Sequence, residues 1–327
     1  MPMRALLAIW LCAAWVWHGI SPVHAQAQPY PSWPIRIIVP FPPGGPTDGM
    51  ARIISDRLGV VLGQSIVVEN KSGAGGSIGA KVVASADPDG YTILMTPGGP
   101  LTTGPAVQKD IGYDPAAVFA PVAELIETPL IVAVHADLPV KTLADVVTYA
   151  KANPGRVSWG SQGFGTAPHL LAELFKLEAG VDIVHVPYRG TAPMLAAIVA
   201  GEVQIVADPM TTVLPHIESG KLRALAIAGT ERSARLPGVP TAPEAGFPGL
   251  NAPFWLGVVA PARTPPAVID KLNAAFRDSL TQPETRARLA ALGAEIKIGT
   301  PQQFGAMLAK ELALWTGVVK SAQLKTE

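Results

Sequence analysis

Few residues in this chain have the types and spacing to do covalent chemistry. Gly75-Gly76-Ser77-Ile78-Gly79 satisfies the G-x-S-x-G pattern of hydrolase nucleophile elbows, and Asp208 and His216 follow in α/β-hydrolase order. An elbow needs its serine on a sharp turn directly off a strand, yet a loose glycine loop separates Ser77 from the apolar run ending at Val68. An exported serine hydrolase is therefore the alternative reading rather than the leading one. His135, His169, His185 and His216 show neither H-x-H nor H-E-x-x-H spacing, and no tight Asp/Glu cluster accompanies them, so no metal site is expected. No P-loop lysine follows the glycines and the first strand-to-helix turn lacks G-x-G-x-x-G, so no cofactor is expected either.

Glycine loops that open helices are what the sequence does supply. Pro40-Phe41-Pro42-Pro43-Gly44-Gly45-Pro46-Thr47-Asp48 joins the β-branched run Ile35–Val39 to an amphipathic helix ending at Gly63. Prolines stiffen the loop, Gly44 and Gly45 allow close backbone approach with free N–H groups, and Thr47 or Asp48 is expected to cap the helix. Unpaired amides and the positive end of the helix dipole suit a small anion; an ordinary strand-to-helix connection is the other reading. Ser161 to His169 is the counterpart, with Gly163, Gly165, Thr166 placed to cap, and His169 as either a ligand group or a structural hydrogen-bonder. Tyr188-Arg189-Gly190 repeats the theme. Arg189 could pair bidentately with a carboxylate or lie solvated between domains, and Asp208, at a strand's carboxyl end, could accept from a ligand or from neighbouring backbone.

The elements that position these loops alternate strand and helix, which argues for α/β sheets whose loops leave the carboxyl edge. The chain has 327 residues, 49% hydrophobic and 15% charged, with formal net charge zero. That suggests two domains and disfavours nucleic acid or an anionic membrane as partner. Residues 1–27 read as a cleavable signal peptide: a basic start at Arg4, an apolar run from Ala5 to Trp17, and small-residue cleavage sites near Ala25 or Ala27. Cys12 is the only cysteine, so the exported mature chain has no disulfide or thiolate chemistry. The tail is expected to be helical from Thr264-Pro265, Gln282-Pro283 and Thr300-Pro301, with Phe304, Met307, Leu308, Leu312 and Trp315 as a core stripe.

Ordered motifs across the whole mature chain carry a resemblance. They include Val39-Pro40-Phe41-Pro42-Pro43-Gly44-Gly45 with Asp48, Gly73-Ala74-Gly75-Gly76, Pro88-Asp89-Gly90-Tyr91-Thr92 and Gly163-Phe164-Gly165-Thr166 with His169. His185-Val186-Pro187-Tyr188-Arg189-Gly190 and Pro240-Thr241-Ala242-Pro243-Glu244-Ala245-Gly246 complete the set. With these the chain resembles the Bug family, the extracytoplasmic solute-binding proteins of tripartite tricarboxylate transporters. The resemblance implies a two-domain α/β fold of the periplasmic-binding-protein or Venus flytrap kind. Domain 1 would comprise 33–130 plus 253–327, and domain 2, inserted, 131–252. It implies a non-catalytic receptor that clamps the carboxylate of a small organic acid between the loop Phe41 to Asp48 and the loop Ser161 to His169. The expected partners are that acid and the membrane subunits of the transporter, or a signalling receptor if the protein is a sensor, and the chain is expected to be monomeric and periplasmic. Arg189, where lysine is more usual, and Asp208-Pro209-Met210-Thr211-Thr212 depart from the family pattern.

Overall fold

The computed structural model describes residues 29–108, 110–321 and 323–324; the expected signal peptide lies outside them. Residues from Trp33 onward form one compact unit containing two mixed sheets. β1 (Ile35–Val39), β2 (Ile66–Asn70) and β3 (Thr92–Thr96) run parallel, and β10 (Phe254–Pro261) lies antiparallel beside β3. β4 (Phe119–Thr128) and β11 (Glu295–Ile296) extend this sheet to the order β11-β4-β10-β3-β1-β2. The second sheet has the order β7-β6-β8-β5-β9, built from β5 (Leu130–His135), β6 (Ser158–Ser161), β7 (Val184–Pro187), β8 (Ile205–Pro209) and β9 (Leu222–Ala228). Helices pack on both sheets, so their central strands are apolar runs rather than alternating ones: four of five residues in β1, and all of β8 and β10, are buried.

The chain passes between sheets at Pro129, and returns through residues 229–253. Leu236 and Val239 of that return pack on the core of the second sheet, against residues such as Met210 and Ile227. Local rules account for most helix ends. Pro46 opens the helix Pro46–Leu62 and Gly63, at φ 66°, ends it in the left-handed region. Thr142 and Asp145 form a reciprocal capping box on Leu143–Ala152, and the tail helices start at Pro266, Pro283 and Pro301.

Two elements differ from expectation. β4 carries Pro121, Glu124 and Glu127 and so lacks a readable strand pattern; it is accommodated by register shifts against β10, one of them next to the Pro121–Val259 pair. Thr96-Pro97-Gly98-Gly99-Pro100 reads from its glycines and prolines as a loop, yet Gly99–Thr103 is a π-helical turn leading into a short helix Gly104–Val107.

Gly79 sits on the helix Ser77–Ala84 where that helix crosses the end of β1. A Cβ there would lie 2.7 Å from the Lys71 carbonyl oxygen and 2.9 Å from the Pro40 Cα, both backbone atoms. Gly79→Ala should therefore cost about 1–3 kcal/mol, seen as a lowered midpoint of thermal unfolding; an unchanged midpoint would contradict this packing.

Candidate functional site

The loop after β1 is organised by one carboxylate. Asp48 accepts from the Gly44 N–H at 3.0 Å, from Asn70 Nδ2 at 3.0 Å and from the guanidinium of Arg52, with Nη2 at 2.9 Å. Asn70 also donates to the Phe41 carbonyl at 2.9 Å, tying the loop to the end of β2. Burial pushes the Asp48 carboxyl up, but the bonds from Arg52, Gly44 and Asn70 outweigh it and hold it below the usual range. The helix begins earlier than expected: Gly45 is its N-cap and Pro46 its first residue, so Thr47 and Asp48 lie inside the first turn and neither caps it. Nor is the Gly44 N–H free. A Cβ at Gly44 would meet nothing within 4 Å; its φ of +79° is what requires glycine.

The loop after β6 is braced in the same way. Ser161 Oγ lies 2.7 Å from His185 Nε2 and accepts from the Gly163 N–H, while the Gly165 N–H donates to His169 Nδ1 at 3.3 Å. The His169 ring is sandwiched between Phe164 and His185, with centroids at 4.5 and 4.3 Å. Burial, aided by Lys176, pushes His169 down to about 4; burial and then the neighbouring His169 do the same to His185. Both rings are neutral at pH 7. Thr166 occupies the N-cap position of Ala167–Ala179 as expected, but its hydroxyl donates to the Gly163 carbonyl at 2.8 Å instead of capping. Tyr188 N–H donates to the Ser161 carbonyl, and Gly190, at φ 103°, is the N-cap of the helix Thr191–Val199.

These loops meet across the two sheets. Thr103 Oγ1 donates to the Gly165 carbonyl at 2.7 Å, Gly190 abuts Pro42, and Gly75 abuts the Phe164 carbonyl so closely that no Cβ fits. Three neighbouring spaces lie between them, all bordered by Phe41 and Gln162. One, of about 10 Å³, is bordered by Pro43, Gly45, Thr47 and Thr191; another, of about 20 Å³, by Thr103, Thr166, Phe254, Trp255 and Glu311. Each is the size of one or two waters. The third is an open cleft of about 720 Å³ whose walls include Gly163, Tyr188, Asp110 and Arg189.

Of the residues expected to bind ligand, Phe41, Pro43, Gly45, Thr47, Gly163, Thr166, Tyr188 and Arg189 border these spaces. Gly44, Asp48, Ser161, Gly165, His169 and Asp208 border none of them, and each makes hydrogen bonds within or behind the loops. Asp208 is wholly buried, accepting from Gln162 Nε2 and Thr212 Oγ1; burial raises its carboxyl to about 7 against those two bonds. Gln162 lies within the expected loop Ser161 to His169 without being singled out there, while Thr191 and Glu311 lie outside both expected loops. Thr191 has a legible signal, since it stands in the first turn after a helix-opening glycine, as Thr47 does one residue further on; Glu311 has none, because only packing brings its helix to the cleft.

Three helix starts face the two small spaces, and none of them has a side-chain cap. Thr47 and Thr191 are buried residues whose hydroxyls have no hydrogen-bond partner among the described residues. First-turn amides also lack helical partners by construction, so donors are concentrated here. No Arg, Lys or His borders either small space. The hydrolase constellation is not assembled: Ser77 opens its helix with no hydrogen-bonded histidine among the described residues, and Asp208 bonds Gln162 and Thr212, not His216.

Comparison with known proteins agrees with this architecture. Residues 50–324 match the model of the tripartite tricarboxylate transporter family receptor. The chain is 38% identical to protein BugT of Bordetella pertussis over 99% of its own length and 98% of that protein's. The solved periplasmic binding protein BugD superposes with TM-score 0.87 at 34% identity, covering 91% of this chain and 100% of that one. An R. palustris structure with adipate superposes with TM-score 0.86 at 37% identity, covering 90% and 98%. With two α/β sheets, glycine loops opening helices between them and a family match over most of its length, this chain belongs to the Bug-type receptors of the tripartite tricarboxylate transporter family.

Proposed function

We propose that the chain is a periplasmic solute-binding receptor, not an enzyme, that closes two lobes over a small carboxylate and presents it to the membrane subunits of a tripartite transporter. The observation that carries this reading is that two helix starts and two unpartnered threonine hydroxyls border one small space, and a third helix start borders the other, with Phe41 and Gln162 common to both. Side-chain caps occur at Asp114 and Thr142, while Ser77–Ala84, Met210–Glu218, Pro266–Thr281 and Pro283–Ala291 also lack them, so what sets the three starts apart is that they border the small spaces. An anion between Thr47 and Thr191 would complete the capping from outside, with helix dipoles adding about 0.3–1 kcal/mol each. We assign the lobes to 33–130 with 253–327 and to 131–252, the export signal to residues 1–27, and a monomer as the working form.

Closure follows from the size of the spaces. Neither small space admits an organic acid, so ligand enters through the open cleft while the lobes are parted. Contacts made from both sides then favour the closed state. Exposed Arg189 lies at this mouth, where it attracts anions toward the cleft without bordering the inner spaces. Among the described residues no helix is long and apolar enough to cross a membrane. Asp208 acts at one remove, because its bond to the Gln162 amide nitrogen leaves the Gln162 carbonyl as the group available to the cleft.

A thermal-shift and calorimetric screen of the exported form against organic acids tests the reading. An acid in hundredfold excess over its dissociation constant should add about 2.7 kcal/mol of stability; absence of any shift across carboxylates would sink it. For an acid that binds, Thr47→Val and Thr191→Val should each weaken affinity about 10- to 100-fold, the equivalent of one charge-assisted hydrogen bond. Their ligand-free unfolding midpoints should stay within a few degrees. Unchanged affinity in both variants would place the carboxylate elsewhere.

The buried Asp208 carries a pH signature. Its carboxyl titrates at about 7 in the fold and near 3.9 when unfolded. Its contribution is therefore fully present below about pH 4 and lost as pH rises through about 7. Asp208→Asn has no such charge, so its stability relative to the natural protein should rise across that window. A difference independent of pH, from parallel thermal melts, would contradict the burial assigned to this group.

A further inference from the structure

The inner space bordered by Glu311 has a chemistry that the receptor reading does not use. Its walls are largely apolar, with Phe41, Phe254 and Trp255 prominent, and Glu311 is the one ionisable side chain among the residues that border it. Glu311 projects from the long helix Pro301–Ser321, and its Oε2 accepts from the Trp255 indole N–H at 2.9 Å. Its other hydrogen-bond neighbour is also a neutral donor, the Trp315 indole at 3.5 Å. Among the described residues no lysine or arginine bonds to it. The nearby Glu124 is itself half-buried and adds a second acidic group behind Glu311, with Lys297 acting on Glu124.

Gln162 borders the same space. Its amide nitrogen is committed to Asp208, and its carbonyl oxygen has no partner among the described residues. The space therefore offers two acceptors, a carboxylate and an amide carbonyl, on an aromatic wall. The neighbouring space, between Thr47 and Thr191, offers donors. Phe41 and Gln162 border both, so a ligand passing between them has its two ends in opposite environments.

We propose that the Glu311 space is a specificity subsite that selects acids with a single carboxylate and a hydrogen-bond donor, such as a hydroxyl, amide or ammonium group, at the far end. The proposal rests on the receptor reading and deepens it. A carboxylate anchored by Thr47 and Thr191 places the far end of the molecule against Glu311 and the Gln162 carbonyl. A donor there is met by both acceptors. Burial raises the Glu311 carboxyl above its usual range, so a second carboxylate there either meets a like charge or requires one of the two to take up a proton, both unfavourable for a dianion in a partly desolvated space. Glu311 thus discriminates by repulsion as well as by attraction. The R. palustris relative solved with adipate took a dicarboxylate; this chain is assigned the opposite preference at the far end.

The test is calorimetric titration of the exported protein with matched acids that differ only at that end: adipate against its half-amide and against aminohexanoate, and terephthalate against hydroxybenzoate. The donor-ended member of each set should bind at least about tenfold more tightly. Glu311→Gln keeps an acceptor for Trp255 but removes the charge, and should bring each dicarboxylate to within about threefold of its partner by raising dicarboxylate affinity. A purely structural Glu311 would instead lower the affinity of every acid alike and leave the ranking unchanged, which overturns the proposal. So does a natural protein that binds the dicarboxylates as tightly as their partners, a result that leaves the receptor reading standing. If no carboxylate of any kind binds, the receptor reading falls and this inference with it. Should the variant not fold, the ranking in the natural protein decides.

Discussion

An anion in the inner cleft of this protein meets no positive side chain, and that constraint governs the rest of the structure. Its charge has to be offset by amide and hydroxyl dipoles, each weaker than a guanidinium and each effective only if aimed and held in advance. Three helix starts supply the aim. Gly45, Thr166 and Gly190 leave them uncapped, and Pro46 and Pro168, which have no N–H to satisfy, fix the first turns. Much of the surrounding hydrogen bonding can be understood as what keeps those turns still.

That bracing explains why so many polar residues of the loops face away from the cleft. Asp48 engages Gly44, Arg52 and Asn70; Ser161 engages His185 and Gly163; His169 accepts from Gly165 and lies between two tilted rings. Keeping the histidines neutral has a further consequence, because a protonated imidazole here would be both buried and close to Lys176. Asp208 extends the same logic by one bond, fixing the Gln162 amide from behind. Charge thus shapes the loops, while the two small inner spaces are left to neutral groups and, in one of them, to Glu311.

Much of this was legible in the sequence because it depends on local rules. β1 and β9 coincide with β-branched or alanine-rich apolar runs, Gly63 ends its helix where a left-handed residue is needed, and Thr142 with Asp145 announces a capping box. The glycine loops were readable as loops, but not which of their groups face inward. Asp48 reads equally well as a cap, a ligand or a brace, and only the meeting of Arg52 and Asn70 on its two oxygens decides. β4 was hidden by Pro121 and two glutamates that a bulged strand tolerates. Glu311 was hidden more thoroughly. It lies among Leu308, Leu312 and Trp315 on a helix whose periodicity indicates core, and nothing local records that β10 carries Trp255 to meet it.

The claim at the centre is that neutral dipoles, not a cation, hold the ligand's carboxylate. A crystal structure of the protein with a bound acid tests it most directly. The account predicts both carboxylate oxygens within hydrogen-bonding distance of first-turn amides and of the Thr47 and Thr191 hydroxyls, with no arginine or lysine in contact. A carboxylate found instead on the Arg189 guanidinium, out in the open cleft, would contradict it.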